Sequence, residues 1–361
     1  MKTFLMNIKS NNALKSKLIT LGMVVGVYII MQLLLSAGVV SSLIKGLLVP
    51  LCTYAILAVS LNLTVGILGE LSLGHAGFMC IGAFSSAFFS KCMKDAIPIA
   101  GIRFTIAILI GALCAGLFGI LIGIPVLRLK GDYLAIVTLA FGEIAKNVIN
   151  MMYIGIDENG MHFSTKSTLE LNLSENGRVI IQGAQGITGT PNDSSFTVGI
   201  ILLLITLLVI LNLIHSRDGR AIMAIRDNTI AAESIGINIT KYKLMAFSVS
   251  AAFAGVAGVL YAHNLSTLSA TPKNFGYNMS IMILVFVVLG GIGNIRGSII
   301  ASVILTLLPE LLRGLNDYRM LIYAIVLIVM MLFNWAPACI QWREKLVYKL
   351  KMKQNRTKEA E

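Results

Sequence analysis

Charge is scarce in this chain of 361 residues: Asp, Glu, Lys and Arg together make up 13% of it, while hydrophobic residues make up 57%. No soluble core hides that much apolar surface, so the composition excludes an ordinary globular module and places the chain in a membrane. Short segments of alternating hydrophobicity are missing too, which excludes a β-barrel and leaves a bundle of helices. No Gly-Lys dipeptide occurs, so the phosphate-cradling G-x-x-x-x-G-K-S/T loop is absent and the chain does not bind ATP in that way. There is no H-E-x-x-H pair and no G-x-S-x-G elbow, and the histidines His75, His162, His215 and His263 are scattered. Cys52, Cys80, Cys92, Cys114 and Cys339 show no paired spacing and mostly sit inside apolar runs, as small hydrophobic fillers do. Neither catalytic residues nor a metal centre are expected, so the chain is not read as an enzyme.

What is present is a succession of apolar stretches of roughly 18 to 25 residues, each about what a hydrocarbon core of about 30 Å asks of a helix. They fall at Leu18–Val40, Leu47–Val65, Leu71–Ser90, Arg103–Leu127, Tyr133–Tyr153, Phe196–Ile214, Leu244–His263, Tyr277–Gly290, Ser298–Leu312 and Leu321–Ile340, ten in all. The first is longer than a signal-peptide core of about 7 to 15 residues and lacks a convincing cleavage pattern, so it is read as a retained span. The expected fold is thus an all-α, polytopic bundle of about ten spans.

The net charge of +12 is topological and does not point to nucleic acid. Lys2, Lys9, Lys15 and Lys17 precede the first span; Arg343, Lys345, Lys349, Lys351, Lys353, Arg356 and Lys358 follow the last. By the positive-inside rule both termini are cytoplasmic and the crossings even in number. Arg128 with Lys130, then Arg217, Arg220, Arg226, Lys241 and Lys243, then Arg296 fall on expected inner connections. The organisation is a cytoplasmic segment 1–17, a membrane domain 18–340 and a basic cytoplasmic tail 341–361. Within the membrane domain lie an external loop at 154–195, whose only strong cations are Lys166 and Arg178, and a cytoplasmic loop at 216–243.

Glycine interrupts the apolar pattern once in each half. The first interruption holds Gly66, Gly69, Ser72, Gly74, His75 and Gly77; the second holds Gly290, Gly291, Gly293 and Asn294. Broken helices in transport proteins free backbone groups to face a substrate or a water-filled passage. Small residues also let membrane helices pack closely, so pathway and packing both stand as readings. Ionisable groups inside spans are few: Glu143 and Lys146 are spaced to pair across one turn, Glu70 and His75 flank the first interruption, and Glu310 ends a late span. That shortage of mid-membrane acids leans against an ion-coupled carrier.

The loop at 216–243 holds the most informative segment. A short helix from about Thr229 to Ile235, capped by Asp227 or Asn228 and ended by Gly236 in the left-handed conformation, presents Ala231, Ala232 and Ile235 as a small apolar face. Such a knob suits the cleft of a soluble partner; an ordinary interhelical loop helix is the plainer reading.

These residues resemble a family. Gly219-Arg220-Ala221 through Ala231-Ala232-Glu233-Ser234-Ile235-Gly236-Ile237, running on to Ala254-Gly255-Val256-Ala257-Gly258, is similar to the coupling segment of branched-chain amino acid ABC transporter permeases. Leu61 to Gly66 with Leu71 to Phe78, Gly131 to Ile144, and Gly186-Ile187-Thr188-Gly189-Thr190-Pro191 resemble three further signatures of that family. The resemblance implies the larger, ten-span permease subunit, in a bacterial or archaeal plasma (inner) membrane. Its implied partners are a second permease, two cytoplasmic ATPases that hold ATP and Mg, and an extracytoplasmic binding protein. It also implies alternating access for leucine, isoleucine and valine, with urea, short amides or other amino acids as alternatives. Arg220, Arg226, Asp227, Asn228, Ala231, Ala232, Glu233 and Gly236 are the coupling candidates, and Gly186, Thr188, Gly189 and Pro191 the docking candidates. Two departures stand out: a longer, more polar outer loop, and Thr190 where an aliphatic residue is more usual.

Overall fold

The computed structural model describes residues 2–335 apart from positions 39, 130, 159, 175 and 176; Lys130, Cys339, the end of the last expected span and the tail 341–361 lie outside the described residues. Helix α1 (Lys2–Ser36) leads into α2 (Ser42–Asn62), which widens into a π-helical turn at Leu63–Leu68 and stops at Gly69. Helices α3 (His75–Cys92), α4 (Ala100–Val126) and α5 (Asp132–Met151) follow. Strands β1 (Tyr153–Asp157), β2 (Gly160–Ser164), β3 (Arg178–Gln182) and β4 (Ile187–Thr188) precede α6 (Phe196–His215). Two short helices, α7 (Arg217–Asp227) and α8 (Thr229–Ser234), lead into α9 (Ile239–Ala262). After β5 (Thr267–Leu268) come α10 (Pro272–Phe275), α11 (Tyr277–Gly290), α12 (Ile295–Leu311) and α13 (Arg319–Trp335).

Among the described residues eight segments are long and apolar enough to cross a membrane: Lys17–Ser36, Ser42–Leu68, Ala100–Val126, Asp132–Met151, Phe196–His215, Ile239–Ala262, Pro272–Gly290 and Ile295–Gly314. Two of the ten expected spans are not in that set. The stretch Leu71–Ser90 becomes α3, which carries His75 and three serines and is largely buried by its neighbours, so it needs no lipid-facing apolar surface. The apolar stretch of α13, Leu321–Leu332, is short.

The core forms where α9 lies among α2, α3 and α4, and small residues set its closeness. A Cβ on Gly258 would sit 2.1 Å from the carbonyl oxygen of Met79, and one on Gly82 would sit 2.4 Å from Cα of Gly255. Backbones in such contact gain dispersion energy that larger residues would prevent. Replacing Gly258 by alanine is expected to cost about 1–3 kcal/mol, the usual range for overpacking a close-fitted core, read as a lower melting temperature of the solubilised protein.

One end of the bundle is not helical, which amends the all-α expectation. The loop 154–195 folds into a three-stranded antiparallel sheet in the order β2-β1-β3, with Tyr153 opposite both Ser164 and Gln182. A buried ion pair, Arg103 to Asp193 at 2.8 Å, anchors the end of this loop to α4. Lys91 of α3 donates to the carbonyls of Val179 and Ile180 in β3.

Candidate functional site

At the opposite end, the chain leaves α6 through an abrupt elbow. Ser216 caps α7 by accepting from the Gly219 amide at 3.1 Å, and a Cβ on Gly219 would lie 2.1 Å from the Leu213 carbonyl oxygen. Ile222 and Ile225, three apart on α7, are buried, so the helix is seated against the bundle as a rigid piece. Sequence reasoning missed α7, although Ser216, Asp218 and this apolar spacing are its local signals. Helix α8 follows as expected. Asn228, not Asp227, is its cap, accepting from the Ala231 amide at 3.0 Å. Asp227 instead accepts from Arg226 at 3.1 Å.

The helix ends in a complete Schellman motif: the Gly236 amide donates to Glu233, the Ile237 amide to Ala232, and Gly236 has φ +83°. The expected apolar face needs correction. Ala232 is 2% exposed and turned inward, while Ile230 at 81% and Ile235 at 75% are the apolar side chains offered outward, with Ala231 and Glu233 exposed beside them. Arg220 is also exposed and donates to the His215 carbonyl at 3.3 Å.

This knob is tied to both glycine interruptions. Arg226 donates through Nη1 to the Gly66 carbonyl at 2.9 Å, and its aliphatic stem lies where a Cβ on Gly69 would stand. Lys243, near the start of α9, forms a largely buried ion pair with Glu70. Gly66 in turn touches the second interruption, since a Cβ there would sit 2.4 Å from the Gly293 nitrogen. Asn62 closes the arrangement: its Oδ1 accepts from the Gly293 amide at 2.9 Å and its Nδ2 donates to Ser298 at 2.8 Å. Of the two glycine runs, whose sequence leaves helix, break and re-entrant loop open, the part from Gly66 to Gly69 closes the span of α2 and Gly290 to Asn294 turns α11 into α12. These two turns meet on the α7–α8 end of the bundle, while Gly74 caps α3 and Gly77 lies within it. Gly69, Gly291 and Gly293 carry the positive φ angles that such turns require.

The other candidates divide. Gly74 and Gly77 pack on α5, where Cβ atoms would meet the Thr138 oxygen at 2.4 Å and Gly142 Cα at 2.6 Å. His75 is buried, with Nε2 2.8 Å from Ser60 Oγ, and Ser72 is buried close by. Gly290 and Asn294 line a cavity of about 340 Å³ that reaches Met330 on α13. Asn294 also caps α12.

At the sheet-bearing end, Gly186, Thr188, Gly189 and Pro191 lie together. Strand β4 pairs with β5, the Gly189 amide donates to Ser266 at 2.9 Å, and Thr188 and Gly189 are exposed. The hydroxyl of Thr190 donates to the Leu265 carbonyl, a bond that an aliphatic residue there could not make. Glu143 pairs with Lys146 as its spacing predicts, and its other oxygen accepts from the Tyr277 amide at 2.7 Å, capping α11. Sequence reasoning did not find Asn62 or the pairing of Glu70 with Lys243; a lone Asn at the end of an apolar span is the signal it passed over.

Comparison with known proteins finds relatives over most of the chain. The family model described as "Branched-chain amino acid transport system / permease component" matches residues 43–333. The high-affinity branched-chain amino acid transport system permease protein LivM of Salmonella typhimurium is 37% identical over 316 residues, covering 85% of this chain and 72% of that protein. LivM of Escherichia coli K12 is 37% identical over 293 residues, 79% of this chain and 66% of its own length. The permease protein LivH of the same strain is 23% identical over 283 residues, 78% of this chain and 89% of LivH. No solved structure matches.

Proposed function

The chain belongs to the family of branched-chain amino acid transport permeases, and on that premise we propose that it is the LivM-like, membrane-spanning half of an ATP-driven importer of leucine, isoleucine and valine. It crosses the plasma membrane ten times, α3 and α13 included, with both termini in the cytoplasm. Its partner in the membrane is a second, LivH-like permease. The α7–α8 end is cytoplasmic and seats in a cleft of an ATPase subunit that holds ATP and Mg. The loop Gly186–Pro191 faces a binding protein that carries most of the specificity.

The supporting observation is the unbroken mechanical connection from exposed Ile230 and Ile235, through the seated helix α7 and Arg226, to Gly66, and through Asn62 to Gly293 and Ser298. A push on α8 cannot be absorbed by a floppy loop. It passes to the ends of α2, α11 and α12 together, as alternating access by rocking helices requires.

Ile230→Glu with Ile235→Glu leaves the fold intact, because both side chains stand in solvent, and is expected to abolish co-purification of the ATPase and to cut leucine uptake by tenfold or more. Unchanged uptake and co-purification would overturn the coupling assignment. Uptake that survives an inactivated ATPase but collapses with the ion gradient would instead mark a secondary carrier. Competition of labelled leucine by isoleucine and valine, against urea and short amides, tests the substrate.

A further inference from the structure

The outer surface of the bundle carries polar side chains at a depth where lipid would surround them. Glu143 lies about 17 Å from the start of α5 at about 1.5 Å per residue. Tyr277 and Asn278 open α11, whose other end at Gly290 is about 20 Å away by the same rise. Both places fall within a hydrocarbon core of about 30 Å. Tyr277, Asn278 and Asn147 are exposed, and the Glu143 side chain, 26% exposed, reaches the same surface. Asn147 follows Glu143 by one helical turn, and Asn278 adjoins the residue whose amide donates to Glu143 at 2.7 Å. Neither asparagine side chain has a hydrogen-bond partner among the described residues. Buried Lys146 supplies the countercharge to Glu143, and exposed Ile144, Val148 and Ile281 flank the patch. At that depth α4 shows the contrasting pattern, an exposed stripe of Leu109, Leu113 and Leu117 suited to lipid.

A carboxylate and free amides turned toward hydrocarbon are costly, and such groups face water-filled cavities instead. We propose that this patch lines the passage and holds a zwitterionic amino acid in transit. The ammonium sits on Glu143, the carboxylate on the amide NH2 groups of Asn147 and Asn278, and the aliphatic side chain on Ile144, Val148 and Ile281. A carboxylate offers about four lone-pair sites, so the bonds Glu143 makes to Lys146 and Tyr277 leave others for an ammonium donor. The pair Glu143–Lys146 is neutral as a whole, and so is the zwitterion, so occupancy adds no net charge within the membrane. Helix α11 begins at this point, and its partial positive charge favours the carboxylate. The naming of the occupant as an amino acid rests on the function proposed above; the wetness of the patch does not.

The test is thiol labelling of the full-length protein, in its complex in lipid nanodiscs, without ATP or binding protein. Asn147→Cys and Asn278→Cys replace exposed side chains and leave the fold intact. Both are expected to react with a charged methanethiosulfonate on the order of tenfold faster than Leu113→Cys, because the reactive thiolate forms in water and not in lipid. Unsubstituted protein gives the background of the native cysteines. Millimolar leucine should slow the labelling of Asn278→Cys by about twofold or more, the effect of half-occupancy at a Kd of about 1 mM. Isocaproate, the leucine skeleton without its ammonium, should not. Glu143→Gln with Lys146→Met removes both charges together and strands neither; added to Asn278→Cys, it should abolish protection while labelling persists. Labelling of both cysteines no faster than Leu113→Cys would overturn the proposal, since lipid or a dry subunit contact would then cover the patch. Absence of protection by leucine, equal protection by isocaproate, or protection that survives the double substitution would overturn it as well. None of these readouts needs the ATPase, so their failure is distinct from failure of the transport reading.

Discussion

Replacing Gly66 by alanine is expected to reduce uptake below a tenth of the wild-type rate while the ATPase still co-purifies. The new methyl group would stand 1.9 Å from Asn62 Oδ1 and 2.4 Å from the Gly293 nitrogen. The side chain of Asn62 has some freedom to give way, but the second obstacle is backbone, so the two turns must separate. Separation breaks the 2.9 Å bond from Gly293 to Asn62 and uncouples α11 and α12 from α2. The accompanying loss of stability should reach about 3 kcal/mol, the upper part of the range for overpacking. Helix α8 is untouched, so partner binding and transmission come apart in one variant. Labelled leucine uptake beside a pull-down of the ATPase checks it; full uptake would mean that the two turns move independently.

The ion pair between Lys243 and Glu70 gives the second large effect. Both side chains are mostly shielded, at 9% and 15% exposure, and removing one partner of such a pair strands the other charge at a cost of about 3–5 kcal/mol. Lys243→Met alone should therefore lower the melting temperature sharply. Lys243→Met with Glu70→Leu should recover most of that loss, because a buried pair exchanged for apolar groups of similar volume is often neutral. Uptake separates structure from transmission. If the pair merely fastens α9 to the first turn, the double variant transports normally. If polar pairing keeps that turn in register as α9 moves, uptake stays low in a stable protein. Thermal unfolding and uptake on the same three proteins decide between them.

What the sequence revealed follows the range of the interaction responsible. The caps of α8 were legible because Asn228 and Gly236 act within three residues of themselves, and the pairing of Glu143 with Lys146 because one helical turn sets it. The apolar runs announced eight of the long spans directly. Helix α3 was harder, since its exclusion from lipid comes from neighbours remote in sequence. The strands of the loop 154–195, five residues each and rich in polar side chains, carry a period too short to stand out. The glycine runs were visible, but their meaning was not. Whether such a run interrupts a span or ends it depends on what it touches, and Gly66 touches Gly293 and Arg226 only in the folded chain. The site was therefore legible as two separate lists of residues, and the structure joins them into one.

The placement of α9 also bears on how the protein is made. The faces of α3 and α4 that need small, close partners find them on α9; Ser90 of α3 meets the ring of His263 across a sequence separation of 173 positions. A ribosome delivering residues in order releases α3 and α4 into the bilayer well before α9 exists. During that interval their glycine-lined surfaces face lipid or transient chaperones, and the first half of the protein is an unfinished assembly. Insertion of α9 is the event that completes it, so a nascent chain cut short before residue 262 is a substrate for membrane proteases, not a smaller stable domain.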